Sequence, residues 1–157
     1  MQLSAQTSDT INWSPCYQLQ FGDFQGAPDS TKIDLANSRI LITYSYRIVN
    51  DQLKFNVNCF FLKKVSWTKF DMPTLMEHEQ GHFDIAKLFA LKLEQRFREY
   101  KVTNTVQRDL STIYDLIMRD LYAMADLFDA RIKGAKDDIP QKEFIAGIKR
   151  QIPTCKK

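Results

Sequence analysis

The chain has 157 residues, of which 44% are hydrophobic and 26% charged, a size and balance that suit one folded domain with a core of its own. Lys and Arg number 22 against 19 Asp and Glu, and the small excess is spread along the chain, which argues against a nucleic-acid binder with a basic arm. No apolar run approaches the roughly 18 to 20 residues of a membrane-spanning helix, and scattered glycine and proline without a fixed period exclude collagen-like and repeat architectures.

Residues 1–10 are polar and read as a frayed stretch. Met1 to Gln6 lacks the charged and apolar regions of a signal peptide, but Leu3-Ser4-Ala5 is similar to the tail of a cleavage site. The reading is therefore a disordered segment or signal-peptide remnant over 1–10, a single domain over 11–157, and a secreted or periplasmic location. Trp13, Tyr17, Leu19 and Phe21 alternate with polar residues and predict a short half-buried strand that stops at Gly22-Asp23. Gly26 to Ser38, with Pro28, Asp29, Ser30 and Asn37, predicts a loop. Ile40, Ile42, Tyr44, Tyr46 and Ile48, then Leu53, Phe55, Val57, Cys59 and Phe61, alternate on either side of Asn50-Asp51 and predict a β-hairpin. Val65-Ser66-Trp67 predicts a closing strand before Asp71-Met72-Pro73.

Beyond this point the period is helical. Thr74-Leu75-Met76-Glu77 has the form of a capping box, placing a helix start near residue 74. Apolar stripes from Leu75 to Phe97 and from Val106 to Phe128 predict two helices joined by a short polar connection, with Gly134 as the stop of the second. A last helix is predicted from about Pro140 to Ile152. Strands first and helices second make the fold class α+β, an N-terminal antiparallel sheet packed against about three helices. Cys16, Cys59 and Cys155 are widely spaced, with no C-x-x-C pair. That spacing indicates no cysteine zinc site and reads Cys59 as a core residue, with a Cys16 to Cys155 bridge left open.

Both histidines of the chain stand in His78-Glu79-Gln80-Gly81-His82, on the predicted first helix. Residues four apart share a helix face, so both imidazoles can reach one Zn²⁺ at about 2.0 to 2.1 Å. Glu79, rotated by about 100°, suits a general base acting on a metal-activated water that attacks a peptide carbonyl. The alternative is two histidines that merely share a helix. Gly81 costs roughly 1 kcal/mol against Ala in a helix interior, and close approach of sheet or substrate backbone is one reason to keep it. Asp84 lies on another face and reads as a partner for the sheet.

The stretch from Glu77 to Ala86 resembles the core signature of the bacterial predicted secreted zinc-dependent proteases catalogued as domain of unknown function 922. Trp13, the turn Asp23-Phe24-x-Gly26-x-Pro28, the Ile40 to Tyr46 strand and Ser66-Trp67 are similar to that family's pattern in the same order, so the resemblance spans about residues 11 to 152. It implies a zincin-like domain with one Zn²⁺ per chain and a peptide or protein substrate. The chain departs from the family at one place. Where the family offers a third histidine in a Tyr-Asp-x-x-Thr-x-His segment, this chain reads Phe128-Asp129-Ala130-Arg131-Ile132-Lys133-Gly134. A helical hairpin would turn residues 120 to 130 towards His82, which makes Asp120, Asp126 and Asp129 the candidates for the third ligand. Asp129, retained from the family segment, has the first claim, either as a ligand or as a hydrogen-bond support for one.

These readings converge on a zinc metallopeptidase with ligands His78, His82 and Asp129 and base Glu79. The rival is a catalytically inactive relative that binds a peptide or an envelope partner with weak or lost metal affinity.

Overall fold

The computed structural model of the chain describes residues 9–133 and 135–156. The fold is α+β, as the order of periodicities predicts. A three-stranded antiparallel sheet in the order β1-β4-β3 is built from β1 (Thr10–Asn12), β3 (Ile40–Val49) and β4 (Gln52–Leu62). A two-stranded antiparallel ribbon pairs β2 (Ala36–Asn37) with β5 (Trp67–Thr68). Three helices follow: α1 (Pro73–Glu99), α2 (Val106–Ile132) and α3 (Ile139–Lys149).

The hairpin forms where the alternation turns over. Val49 pairs with Gln52, so the loop is the two residues Asn50 and Asp51, both with positive φ (49° and 59°). A two-residue turn matched to strand twist needs this backbone at both positions, and Asn and Asp tolerate it better than other side chains. The register sets Ile42 opposite Cys59, Tyr44 opposite Val57 and Tyr46 opposite Phe55 on the face that meets the helices. Ile42, Cys59 and Phe61 are buried there against Phe83, Leu93 and Phe97 of α1. Cys59 is a free core thiol, and burial pushes it up to about 12.

Several expectations are corrected, among them the closing strand, which is Trp67–Thr68 in the separate ribbon while Lys63–Val65 forms a 3-10 turn. No strand covers 13–21. β1 lies earlier, with Thr10 opposite Leu62, and the chain then leaves the sheet near Pro15, which has no N–H to give a ladder. The Trp13 amide still donates to the Cys59 carbonyl of β4 at 2.9 Å, but two donors of the segment reach α1: Trp13 Nε1 donates to Asp84 Oδ1 at 2.8 Å and the Leu19 amide to Gln80 Oε1 at 2.8 Å. The alternation of Trp13, Tyr17 and Leu19 thus reflects docking on a helix, and the partner of Asp84 is this segment. Helix α1 begins at Pro73 with Met72 at the N-cap and no side-chain cap, so Thr74 lies inside the helix and the capping box does not form. Proline suits the first helical position because its φ is already helical and no N–H is lost. Ala36–Asn37, inside the predicted loop, is strand β2, too short for its period to show.

The third helix ends at Lys149, earlier than predicted, although Ile152 beyond it is buried. Cys16 and Cys155 are joined by a disulfide, which fastens the chain after α3 to the segment after β1. The expectation for residues 1–8 and the helix stop at Gly134 lie outside the described residues. No helix among the described residues is long and apolar enough to cross a membrane.

Candidate metal centre

His78 and His82 stand one turn apart on α1, and α2 returns alongside so that its last turns pass them. Asp129 Oδ1 lies 3.1 Å from His78 Nε2 and 2.9 Å from His82 Nε2, and the two Nε2 atoms are 3.2 Å apart. The three potential donors therefore form a nearly equilateral triangle. Ligands of a tetrahedral zinc at about 2.0 to 2.1 Å are separated by about 3.3 Å, so the observed spacing fits one face of such a tetrahedron. Among the described residues, these three form a group that could hold a metal ion. Asp120 instead pairs with Arg119 at 2.9 Å on the surface, and Asp126 is exposed.

Two imidazoles and a carboxylate at this distance call for a positive charge between them. Burial of His78 disfavours its charged form, yet the hydrogen bond to Asp129 and the charges of Glu79 and Asp129 outweigh it and raise the imidazole above its ordinary value. For Asp129, desolvation likewise opposes ionisation, but hydrogen bonds from His78 and His82 and their charges hold the carboxyl well below the usual range. The surroundings thus favour a positive charge on His78, and the same electrostatics suit a cation. The histidine side chains are 20% and 18% exposed and Asp129 54%, so the cluster opens to solvent on the α2 side. A position left open is what separates reactive metal sites from closed structural ones.

Glu79 is buried on α1 beside this cluster, and Ser38 Oγ donates a short hydrogen bond to its Oε2. Ser38 is held in place by Ser66, which is fully buried. Ser66 Oγ accepts from the Arg39 amide at 2.8 Å and donates to the Leu62 carbonyl at 2.7 Å, and the Ser66 carbonyl accepts from the Gly26 amide at 2.8 Å. A Cβ on Gly26 would stand 2.8 Å from that carbonyl oxygen, so the loop at Gly26 can lie this close only without a side chain. The Gly26 and Ser66 landmarks thus meet in one device that presents Ser38 to Glu79.

The wall of the site is Phe128. Its ring stacks on His78 (centroids 4.7 Å, planes 12° apart) and meets His82 edge-on at 5.2 Å. Gly81 makes room for it: a Cβ there would stand 2.7 Å from Phe128 Cζ and 3.3 Å from Ile145 Cγ1. The close approach expected at Gly81 is therefore made by side chains of α2 and α3, and the suggested sheet or substrate backbone is replaced by these. Gly81→Ala should destabilise the protein by about 1 to 3 kcal/mol through overpacking, although Ala favours the helix by about 1 kcal/mol. Zinc affinity should fall with it, because displacing Phe128 displaces Asp129. Urea denaturation showing equal or greater stability would mean that Phe128 yields freely.

Three contributors carried no sequence signal as site residues: Ser38, inside the predicted loop; Phe128, one more member of an apolar stripe; and Gln141, whose Oε1 lies 3.3 Å from His78 Nδ1 across 63 residues of chain.

A family model described as bacterial protein of unknown function (DUF922) matches residues 5–135. The matched stretch holds all five strands, α1 and α2, and hence His78, Glu79, His82 and Asp129; it ends before α3, short of the residue 152 that the resemblance reached. No curated protein and no solved structure matches the chain.

Proposed function

The chain belongs to this bacterial family, and from that premise we propose that it is a zinc-dependent metallopeptidase acting on peptide or protein substrates. The observation that carries the reading is the convergence of His78 Nε2, His82 Nε2 and Asp129 Oδ1 to within 2.9 to 3.2 Å of one another. A carboxylate stands in for the third imidazole, which favours an active site over the metal-poor binding module. Zinc bound there would supply Lewis acidity towards a carbonyl and bring a water's pKa towards about 7. With a metal held there, Glu79 would be placed to take a proton from a water as its oxygen bonds to the carbonyl carbon and to give that proton to the amine nitrogen as the C–N bond breaks. Ser38 keeps that carboxylate in one orientation, and Phe128 keeps the His78 ring from tilting.

The Cys16–Cys155 disulfide supports a secreted or periplasmic location, since such bridges persist in oxidising compartments. The small and dispersed net charge of +3 gives no reason to expect nucleic acid as a partner.

The test is metal analysis. The unmutated chain should take up about one zinc, and His78→Ala or His82→Ala should abolish uptake at micromolar metal. Because protons and zinc compete for the same nitrogens, pH should govern affinity. His78 is raised in the metal-free chain, so its proton is held to higher pH than on an ordinary imidazole. Affinity should be full well above the ordinary histidine value of about 6.5 and decline as pH falls, the decline setting in before pH reaches that value. No zinc uptake at neutral pH would remove the enzyme reading.

A further inference from the structure

Gln141 is buried on α3, beyond the stretch that the family model matches. Its Nε2 donates to the Thr74 carbonyl at 3.0 Å and lies 3.4 Å from Glu77 Oε2, while its Oε1 faces His78 Nδ1 at 3.3 Å. A backbone carbonyl can only accept, so the end of the amide that meets Thr74 has to be the NH₂ group and the end that meets His78 the oxygen. That oxygen in turn can only accept. The hydrogen between Gln141 and His78 therefore belongs to Nδ1, and a neutral imidazole with its hydrogen on Nδ1 carries its lone pair on Nε2.

Nε2 is the atom that meets Asp129 and His82. Stacking on Phe128 fixes the plane of the His78 ring but is satisfied equally by a half-turn of the ring about its own axis, which would exchange its two edges. The Gln141 contact breaks that tie, because an inverted ring would lose its acceptor at a buried amide that has no other use for it.

We propose that Gln141 is a positioning residue that holds a hydrogen on Nδ1 of His78 and so turns Nε2 to the cluster, where it donates to Asp129 in the metal-free chain and has its lone pair to offer a cation. Its effect on metal rests on the zinc reading above; the hold on the Nδ1 hydrogen does not. A centre whose ligands lie on α1 and α2 is in this way completed from α3, and a carboxamide there does the work that a carboxylate or carbonyl does behind many metal-bound imidazoles.

Imidazole nitrogen NMR on the full chain, metal-free and with added zinc, tests this directly. His78 should show a protonated Nδ1 in both states, with Nε2 also carrying a hydrogen towards Asp129 in the metal-free chain and losing it when zinc is added. Gln141→Met, which keeps the volume and removes the acceptor, should show a less protonated Nδ1 and bind zinc about 10- to 100-fold more weakly. Gln141→Glu, which keeps the acceptor towards Nδ1 but loses the donor to the Thr74 carbonyl, should retain the Nδ1 hydrogen at a cost in stability. A His78 without a hydrogen on Nδ1 in the unmutated metal-free chain overturns the proposal, and so does a folded Gln141→Met protein with unchanged Nδ1 protonation and affinity. If the unmutated chain shows Nδ1–H but takes up no zinc, the zinc reading fails and the hold on the Nδ1 hydrogen stands.

Discussion

Glu79→Gln is expected to leave the fold and zinc content intact and to lower peptide hydrolysis by about 10² to 10⁴, the usual scale for loss of a general base. The substitution is nearly isosteric, and the side-chain carbonyl of Gln can still accept from Ser38 Oγ, which now donates to Glu79 Oε2. The group that could hold a metal comprises His78, His82 and Asp129, so removing the Glu79 charge removes none of the proposed ligands. What is lost is the capacity to take a proton. In free energy the expected drop corresponds to about 2.7 to 5.5 kcal/mol of barrier. The charge of Glu79 also helps to hold a proton on His78. In the variant that proton leaves more readily, and zinc binding should persist to slightly lower pH. The measurement is hydrolysis of an unfolded protein substrate or a broad peptide mixture, with zinc content determined on the same samples. An unchanged rate would place the activity elsewhere, and a zinc-loaded unmutated chain that cleaves nothing would favour the inactive binding module.

What the sequence made legible follows the reach of each signal. The hairpin could be read to the residue because period-two alternation and an Asn-Asp turn are both local, and they fix the register from Val49↔Gln52 to Ile40↔Phe61. Helices α1 and α2 were equally plain, being 27 residues each with continuous apolar stripes. Asp129 was reachable because a helical hairpin turns periodicity into distance. Other features depend on parts of the chain far apart. Ser38 meets Glu79 across 41 residues and Gln141 meets His78 across 63, and neither contact leaves a pattern in its own neighbourhood. The segment 13–21 misleads for the opposite reason. It has a strand's alternation, but its Trp13 indole and Leu19 amide are given to Asp84 and Gln80 of α1. A local period shows that alternate side chains are covered and leaves open what covers them.

Removing the bridge by Cys16→Ser together with Cys155→Ser should cost the largest share of stability of any change outside the core, about 5 kcal/mol in the chain-entropy picture for a closed loop of this length. The two cysteines are 139 residues apart in sequence, so the oxidised unfolded chain is tied nearly end to end and loses much of its freedom. Against a typical net stability of about 5 to 15 kcal/mol, such a loss would leave little margin. The native contacts near the bridge do not depend on it: Ile145, Ile148 and Ile152 are buried. The double variant should therefore fold, with α3 still docked, at a much lower denaturant midpoint. Amide exchange should rise most along α3, where opening would free Gln141 from His78, and least in the β3–β4 hairpin. Denaturation of the unmutated chain with and without reductant checks the same point without mutation. A midpoint unchanged by reductant, with thiol titration showing the two cysteines free beforehand, would mean that the bridge does not form in solution and would withdraw its support for an oxidising compartment. A shift on the expected scale would instead tie the integrity of the candidate centre to the redox state of its surroundings, through the helix that carries Gln141.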